Sequence, residues 1–523
     1  MTRFTTLDAI VLVAYLVGTL TLGLYVGRRQ KDAKDYFVAD RAIPWWAVMF
    51  SIVASETSAL TFISTPGLSY GNAPGFGNLG FLQVVAGYII GRFVVAGVLL
   101  PRYFQGNLVT AYALLEKRFG LATRRFTSIV FMVTRALADS VRVFATAIPV
   151  ALIISPNVTN KAYVMPLAVL ILGFMTVIYT YKGGMKAVVW TELLQAFIYI
   201  SGGVAALVIL GHLVPGGWST IWGSASAAGK TQVLDFYPGL DRAHTVWAGL
   251  IGGAFLAMAS HGTDQLIVQR LMSSRSLKDA QRAIIGSGFV VFVQFFLFLA
   301  IGLGLWAFYH GKTFPATDQI FPTFILEHMP AGLVGLIVAA IVAATMSTHS
   351  GAINSLAAAT THDIYLPLTG RSADDATTLK MGRRFALAWG TVLTLGALLF
   401  PQDTKTPVVV IALGIASFTY GGLLGGFFLG IFWRRAIQRD AILGMSVAIA
   451  VMAFIVFAGP IAAAYPSMKA TLAPFGRIAW PWYVLIGTTI TLLVGMLSSL
   501  THPLPPHDPL TSLAMNPSAR RAT

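Results

Sequence analysis

The side chains with chemistry to offer are polar residues stranded in apolar runs. Ala344-Thr345-Met346-Ser347-Thr348 lies in an apolar run from about 331 to 360. Hydroxyls in such a run are costly to bury unless something binds them. The carbonyl of Ala344 and, one helical turn later, the hydroxyls of Ser347 and Thr348 place three hard oxygens on one helix face. That set suits a small monovalent cation. A second cluster, Ala54-Ser55-Glu56-Thr57-Ser58, interrupts the run 45–70. Four consecutive polar side chains compete with the backbone for hydrogen bonds and favour unwinding. Unwinding frees the carbonyls of Ala54 and Thr57 to bind an ion. The two clusters read as halves of one ion site at the bilayer midplane.

Charged residues inside the runs add to this. A lipid-facing Glu56 would cost on the order of 3 kcal/mol, so it must meet a cavity, a cation or a basic partner. Arg135, Asp139 and Arg142 share one helix face, with the carboxylate one turn from each guanidinium. One carboxylate cannot neutralise both. Either Arg135 reaches the interface by snorkelling, or one arginine, the deeper Arg142, is left to meet an anion. The alternative is a helix-packing salt bridge. Arg92 is the third intramembrane arginine and could pair with Glu56. Glu192 is either an interfacial acid near a helix N-terminus or part of an ion exit path. His261 and His349 have no ligand partner in register, which argues against metal binding. Phosphate-loop, zinc, nucleophile-elbow and haem motifs are absent, so the sequence offers no enzyme constellation.

The elements that must hold these residues are membrane helices. Of the 523 residues, 56% are hydrophobic and 11% charged, against roughly 25% charged in soluble domains. Apolar runs recur near 7–27, 45–70, 78–101, 126–154, 163–180, 187–213, 244–268, 283–309, 331–360, 381–400, 407–433, 441–463 and 480–500. They predict an all-α polytopic membrane protein with about thirteen spans. The net charge of +16 does not indicate nucleic acid, because the basic residues sit in short loops. About 25 of the 36 basic residues fall on one side, which positive-inside bias makes cytoplasmic. This places the N-terminus outside and the C-terminus inside. The first run lacks a small-residue cleavage site and reads as a spanning helix, not a signal peptide. With no cysteine, disulfides and thiolate metal sites are excluded. The tail after 501 reads as disordered.

Several motifs in order resemble the sodium:solute symporter family over nearly the whole chain. They are Asp35-Tyr36-Phe37 with Arg41, the run from Gly183 to Gln195, Asp264-Gln265 with Gln269-Arg270 and the loop beginning at Ser276, and Phe427 to Trp433. The resemblance implies a LeuT-type fold. Two inverted five-helix repeats would span 45–213 and 244–434, the first helix of each broken near the midplane. Residues 1–44 would form the extra N-terminal helix and first cytoplasmic loop, 214–243 an outer loop, 435–500 two C-terminal helices and 501–523 a cytoplasmic tail. The family's sodium site maps to Ala54, Thr57, Ala344, Ser347 and Thr348, with Glu56 beside it as a coupling residue. Members with a second sodium resemble this chain at Ser347 and Ser350. They carry Asp where Glu192 stands and a hydroxyl where Gly351 stands, so a second ion is in doubt.

The resemblance also bears on the solute. Sugar-carrying members use Gln, Asn and Lys where this chain has Thr61, Ala257 and no lysine over 283–307. Ser64-Thr65-Pro66 and Thr263-Asp264-Gln265 are closer to the monocarboxylate, iodide and multivitamin branch. The expectation is a sodium-coupled symporter of the cell membrane, importing a small organic anion by alternating access. Thr61, Ser64, Arg142, Ser260, His261, Phe418 and Tyr420 would line its pocket. The competing readings are a sugar, amino acid or other neutral solute, proton coupling through Glu56, and a solute sensor. The last would need a signalling domain for which this tail is too short.

Overall fold

The computed structural model describes residues 4–26, 41–56, 59–71, 77–105, 108–155, 158–372, 376–400 and 408–503. Each apolar run of the sequence is helical within them. The principal helices are α1 (Thr6–Val26), α2 (Trp45–Glu56), α3 (Ala59–Tyr70), α4 (Phe81–Val94), α5 (Leu121–Ile154), α6 (Val164–Leu213) and α7 (Gly253–Gly262). They continue with α8 (Gln265–Met272), α9 (Leu277–Phe308), α10 (Leu333–Ala359), α11 (Ala376–Leu398), α12 (Val408–Phe432), α13 (Gln438–Ala464) and α14 (Trp482–Ser499). Short helices such as Gly217–Ala227 and Ile320–His328 lie in the connections. Among the described residues, eight helices are long and apolar enough to cross a membrane on their own.

Two of the spans are broken. Helices α2 and α3 together form one apolar span bent by 58°, with the polar Ser55-Glu56 pair at its first edge. Helices α7 and α8 meet at Thr263-Asp264. Asp264 leaves the helical conformation, and its Oδ1 accepts a hydrogen bond from the Leu266 amide at 2.8 Å. The side chain thereby caps α8 and satisfies a donor that the break would orphan.

One expectation is corrected. The sequence predicts a loop between spans at 163–180 and 187–213, but α6 continues through it for 50 residues. The stretch from Lys182 to Lys186 holds two glycines and no proline, so nothing in it blocks the i→i−4 ladder. Glu192 accordingly lies well inside α6 and not near a helix start.

Close packing fixes the broken helices in place. Helix α4 lies against α7 at a separation that only glycine allows, since a Cβ on Gly91 would sit 2.3 Å from the Ala254 carbonyl. Helix α10 packs along α6 and α5. Its start is held by Asp8 of α1, whose Oδ1 accepts from the Gly332 and Gly335 amides at 2.7 and 2.8 Å. The far end of α3 is held from the loop after Gly217–Ala227. There Lys230 donates to the Tyr70 and Gly71 carbonyls at 3.0 and 2.9 Å.

Candidate functional site

Both helix breaks open onto one cavity, with about 80 Å³ open to the centre of a water-sized sphere. Glu56 and Thr61 reach it from the α2–α3 break, and Ser260, His261 and Asp264 from the α7–α8 break. Arg135 and Arg142 of α5 and Tyr420 of α12 complete the polar wall. Tyr88, Leu256, Phe295, Leu413 and Ala416 are among the remaining lining residues. Of the pocket residues expected from sequence, Thr61, Arg142, Ser260, His261 and Tyr420 line the cavity. Ser64 and Phe418 are not among its lining residues.

At one end of the polar wall, Glu56 pairs with the fully buried Arg92 through Oε2. His261 Nε2 lies 3.3 Å from the same oxygen and 3.0 Å from Arg92 Nη2. Ser260 Oγ orients the ring from 2.8 Å at Nδ1. The pairing of Arg92 with Glu56, one of the alternatives in the sequence, is therefore formed. Arg92 Nε and Nη1 have no hydrogen-bond partner among the described residues.

On the other side the counting of charges changes. Arg135 does not snorkel. It is 4% exposed, donates to Asp139 Oδ2 at 2.8 Å and reaches Asp264 Oδ2 at 3.4 Å. Tyr420 donates its hydroxyl to the same Asp264 oxygen. Asp264, which local spacing could not link to α5, supplies the second carboxylate. Arg142 lies 3.3 Å from Asp139 Oδ1, and its Nε and Nη1 make no hydrogen bond among the described residues. Three guanidiniums, of Arg92, Arg135 and Arg142, thus face three carboxylates, of Glu56, Asp139 and Asp264. Their formal charge sums to zero.

Glu192 forms a different kind of centre. Arg270 of α8 grips it with two contacts, Nη2 to Oε1 at 2.6 Å and Nε to Oε2 at 3.3 Å. Ser51 donates to Oε2, and Ser55 to Oε1 at 3.1 Å. Both charged residues are at most 1% exposed. A Cβ on Gly351 would stand 2.4 Å from Arg270 Nη2. The absent side chain at 351 therefore makes room for the guanidinium. Ser350 is fully buried in the neighbouring turn of α10. The Glu192 carboxylate is thus already neutralised by a buried cation, the Arg270 guanidinium.

The expected sodium ligands divide as follows. Ala54 is buried in the last turn of α2, which packs on α10. Ala344 and Ser347 lie in the α10 backbone, and Thr57 lies outside the described residues. Thr348 is 4% exposed, and its Oγ1 has no hydrogen-bond partner among the described residues. A buried hydroxyl left unpaired costs free energy that a bound ion would recover. Its donor type fits sodium. A separate small cavity lined by Asp139, Arg142, Thr146, Thr345, Thr348 and His349 shares the Arg142 side chain with the larger pocket.

Sequence reasoning did not assign Asp264 and Arg270 their pairing roles, nor Tyr88 its place in the wall. A cap signal at Thr263-Asp264, just after Gly262, marks the second break in the sequence. Nothing local points to the partners across the bundle.

Comparison with known proteins is consistent in kind. A model described as the sodium:solute symporter family matches residues 36–448. The sodium/sialic acid symporter NanT of Aliivibrio fischeri is 28% identical over 95% of this chain and 93% of its own length. The sodium-coupled monocarboxylate transporter 1 of Homo sapiens is 27% identical over 95% of this chain and 87% of its own. A solved substrate-bound, outward-open structure of a Na+-coupled sialic acid symporter superposes with a TM-score of 0.79. It shares 26% identity and covers 96% of this chain and 99% of that one. The bundle is the LeuT-type arrangement of broken helices that the motifs imply.

Proposed function

The chain belongs to the sodium:solute symporter family and is a sodium-coupled multi-pass membrane transporter, not an enzyme; from that premise we propose that its solute is a small organic monoanion. The observation that carries this reading is the charge balance of the pocket. Three arginines and three carboxylates leave no surplus, so one sodium ion brings the centre to a single positive charge. A monocarboxylate restores neutrality, and a net buried charge is expensive. Arg142, on the cavity wall with no hydrogen bond from Nε or Nη1, is the donor that would meet it. Relatives carry sialic acid and monocarboxylates, and both are carboxylates.

In this mechanism sodium binds first, between the end of α2 and Thr348 of α10, and joins the two helices. The pocket then takes the anion on Arg142. With both bound, the outer path closes and the inner one opens, because each ligand binds one state better than the other. Residues 214–243 face outward and the basic loops face the cytoplasm of the cell membrane. With one sodium and one monoanion per cycle the charge carried sums to zero, so the sodium concentration gradient supplies the drive and the membrane potential adds none. One sodium per cycle fits the Arg270 grip on Glu192.

Thermal stability of the purified protein, in sodium or potassium and across carboxylates, sugars and amino acids, tests the whole reading. A ligand that binds the native state raises stability by mass action. A shift for carboxylates only in sodium is expected. The variant Thr348→Val sharpens the result. It removes an unpaired hydroxyl without changing shape, so stability in potassium should hold or rise by about 1 kcal/mol, while the sodium shift is lost. A sodium shift that survives Thr348→Val removes this residue from the ion site. Stability and uptake that follow pH and ignore sodium would instead favour proton coupling through Glu56.

A further inference from the structure

Two carboxylates stand on the cavity wall, and they differ in what remains of their hydrogen-bonding capacity. Asp264 is used up. Its Oδ1 takes the Leu266 amide, and its Oδ2 takes Tyr420 and Arg135. Glu56 is not. Its contacts with Arg92 and His261 both fall on Oε2, and among the described residues Oε1 has no hydrogen bond. The side chain is 14% exposed, and the surface it exposes lies on the cavity. The donors on the wall are occupied in a complementary way. Tyr420 and Arg135 are turned to Asp264, and Ser260 is held by His261. Arg142 is the guanidinium on the wall left with nitrogens to offer; Arg92, whose Nε and Nη1 are likewise unpaired among the described residues, does not line the cavity.

Beside the hydroxyls of Thr61 and Tyr88, which can each donate or accept, the cavity therefore presents one donor-only group, Arg142, and one acceptor-only oxygen, Glu56 Oε1. A plain monocarboxylate such as propionate answers the first and not the second. Its alkyl chain would strip water from Oε1 and give no hydrogen in return, and an acceptor left unmet in a closed site is penalised. A ligand that also carries an O–H or N–H answers both. Arg92 already balances the charge of Glu56, so the donor can be a neutral hydroxyl as well as an ammonium.

We propose that Glu56 is a specificity residue that selects carboxylates bearing a hydroxyl or amino group over plain monocarboxylates. The proposal rests on the anion reading above and narrows it. Glu56 then has a task at the solute, distinct from the sodium coupling that its position beside Ala54 suggests.

The test is binding to the full-length purified protein in saturating sodium, read by calorimetry or thermal shift, with matched pairs of probes. These are propionate against lactate, 3-hydroxypropionate and β-alanine, then butyrate against 4-aminobutyrate. Gluconate and N-acetylneuraminate serve as polyhydroxylated members. In the unaltered protein at least one donor-bearing acid should bind about 10–100-fold more tightly than its parent. The paired change Glu56→Leu with Arg92→Leu removes acid and base together and leaves no orphan charge. In that protein the ratio should fall toward one. Glu56→Gln, which keeps an acceptor but removes the charge, should lower the ratio most for the amino acids of the panel.

Equal affinity for parent and donor-bearing acids in the unaltered protein overturns the proposal and leaves the anion reading standing. So does a ratio that survives the paired change. A paired change that weakens the sodium shift and leaves the ratio intact returns Glu56 to the ion and also overturns it. If no carboxylate binds in sodium, the anion reading itself fails and takes the proposal with it.

Discussion

Glu192 and Glu56 are both acids buried in the helix bundle, each gripped by an arginine from another helix, and the completeness of the grip separates them. Glu192 has both oxygens engaged, by Arg270 and by the hydroxyls of Ser51 and Ser55. Arg270 in turn sends Nη1 to the Leu266 carbonyl at 2.6 Å. Nothing there is left for a ligand. Glu56 engages one oxygen, its partner Arg92 keeps two nitrogens unpaired, and the group borders the cavity. A buried polar network that is fully satisfied rigidifies, and one that is partly satisfied holds capacity in reserve. The first centre ties α2, α6 and α8 together. The second lies where α2, α4 and α7 meet beside the cavity.

Removing the arginine from each centre should give unequal results. Arg270→Met leaves Glu192 charged with no cation and no water, and should cost about 3–5 kcal/mol. A large fall in melting temperature, or loss of monodisperse protein in detergent, is the expected readout. Arg92→Met leaves Glu56 beside a cavity that water can enter, so its cost should be clearly smaller. Equal losses would break the comparison. Gly351→Ala probes the closed centre more gently. The new Cβ would stand 2.4 Å from Arg270 Nη2 and push the guanidinium from its carboxylate, at a cost of about 1–3 kcal/mol. If Gly351→Ala is neutral in a thermal melt, the glycine is not what makes room for Arg270.

The sequence makes one of these centres far more legible than the other. Four polar residues in an apolar run announce the break between α2 and α3, and the expense of burying Glu56 demands a partner that Arg92 supplies. The membrane helices are legible for the same reason, because hydropathy over a span is a local quantity. For Glu192 the sequence leaves two readings open, an acid near a helix start or part of an ion exit path, because its environment is set by Arg270, 78 residues away. The excess of arginine on α5 is misjudged likewise, since Asp264 lies 129 residues from Arg135. Local spacing registers the Arg135–Asp139 pair one turn apart and cannot register a carboxylate delivered by the break in another helix. The junction inside α6 fails on another ground. Basic residues and two glycines mark a loop by composition, yet no residue there forbids a helix.

Arg142 gives the finest test of the distinction, because the effect expected on the fold is the smallest and the effect on binding is not. Its Nη1 lies 3.3 Å from Asp139 without a hydrogen bond, and Asp139 keeps Arg135 at 2.8 Å when Arg142 is removed. Arg142→Gln therefore leaves no acid unpaired and should change unfolding free energy by no more than about 1 kcal/mol. Carboxylate affinity in sodium should fall by about 10–100-fold, the worth of a charge-assisted contact. Stability and affinity measured on the same preparation separate the outcomes. A variant that melts well below the unaltered protein would make Arg142 part of the α5 scaffold, as Arg270 is of its own centre. A variant that melts normally and still binds the anion would leave the charge balance without its donor, and the solute would have to be sought among neutral molecules.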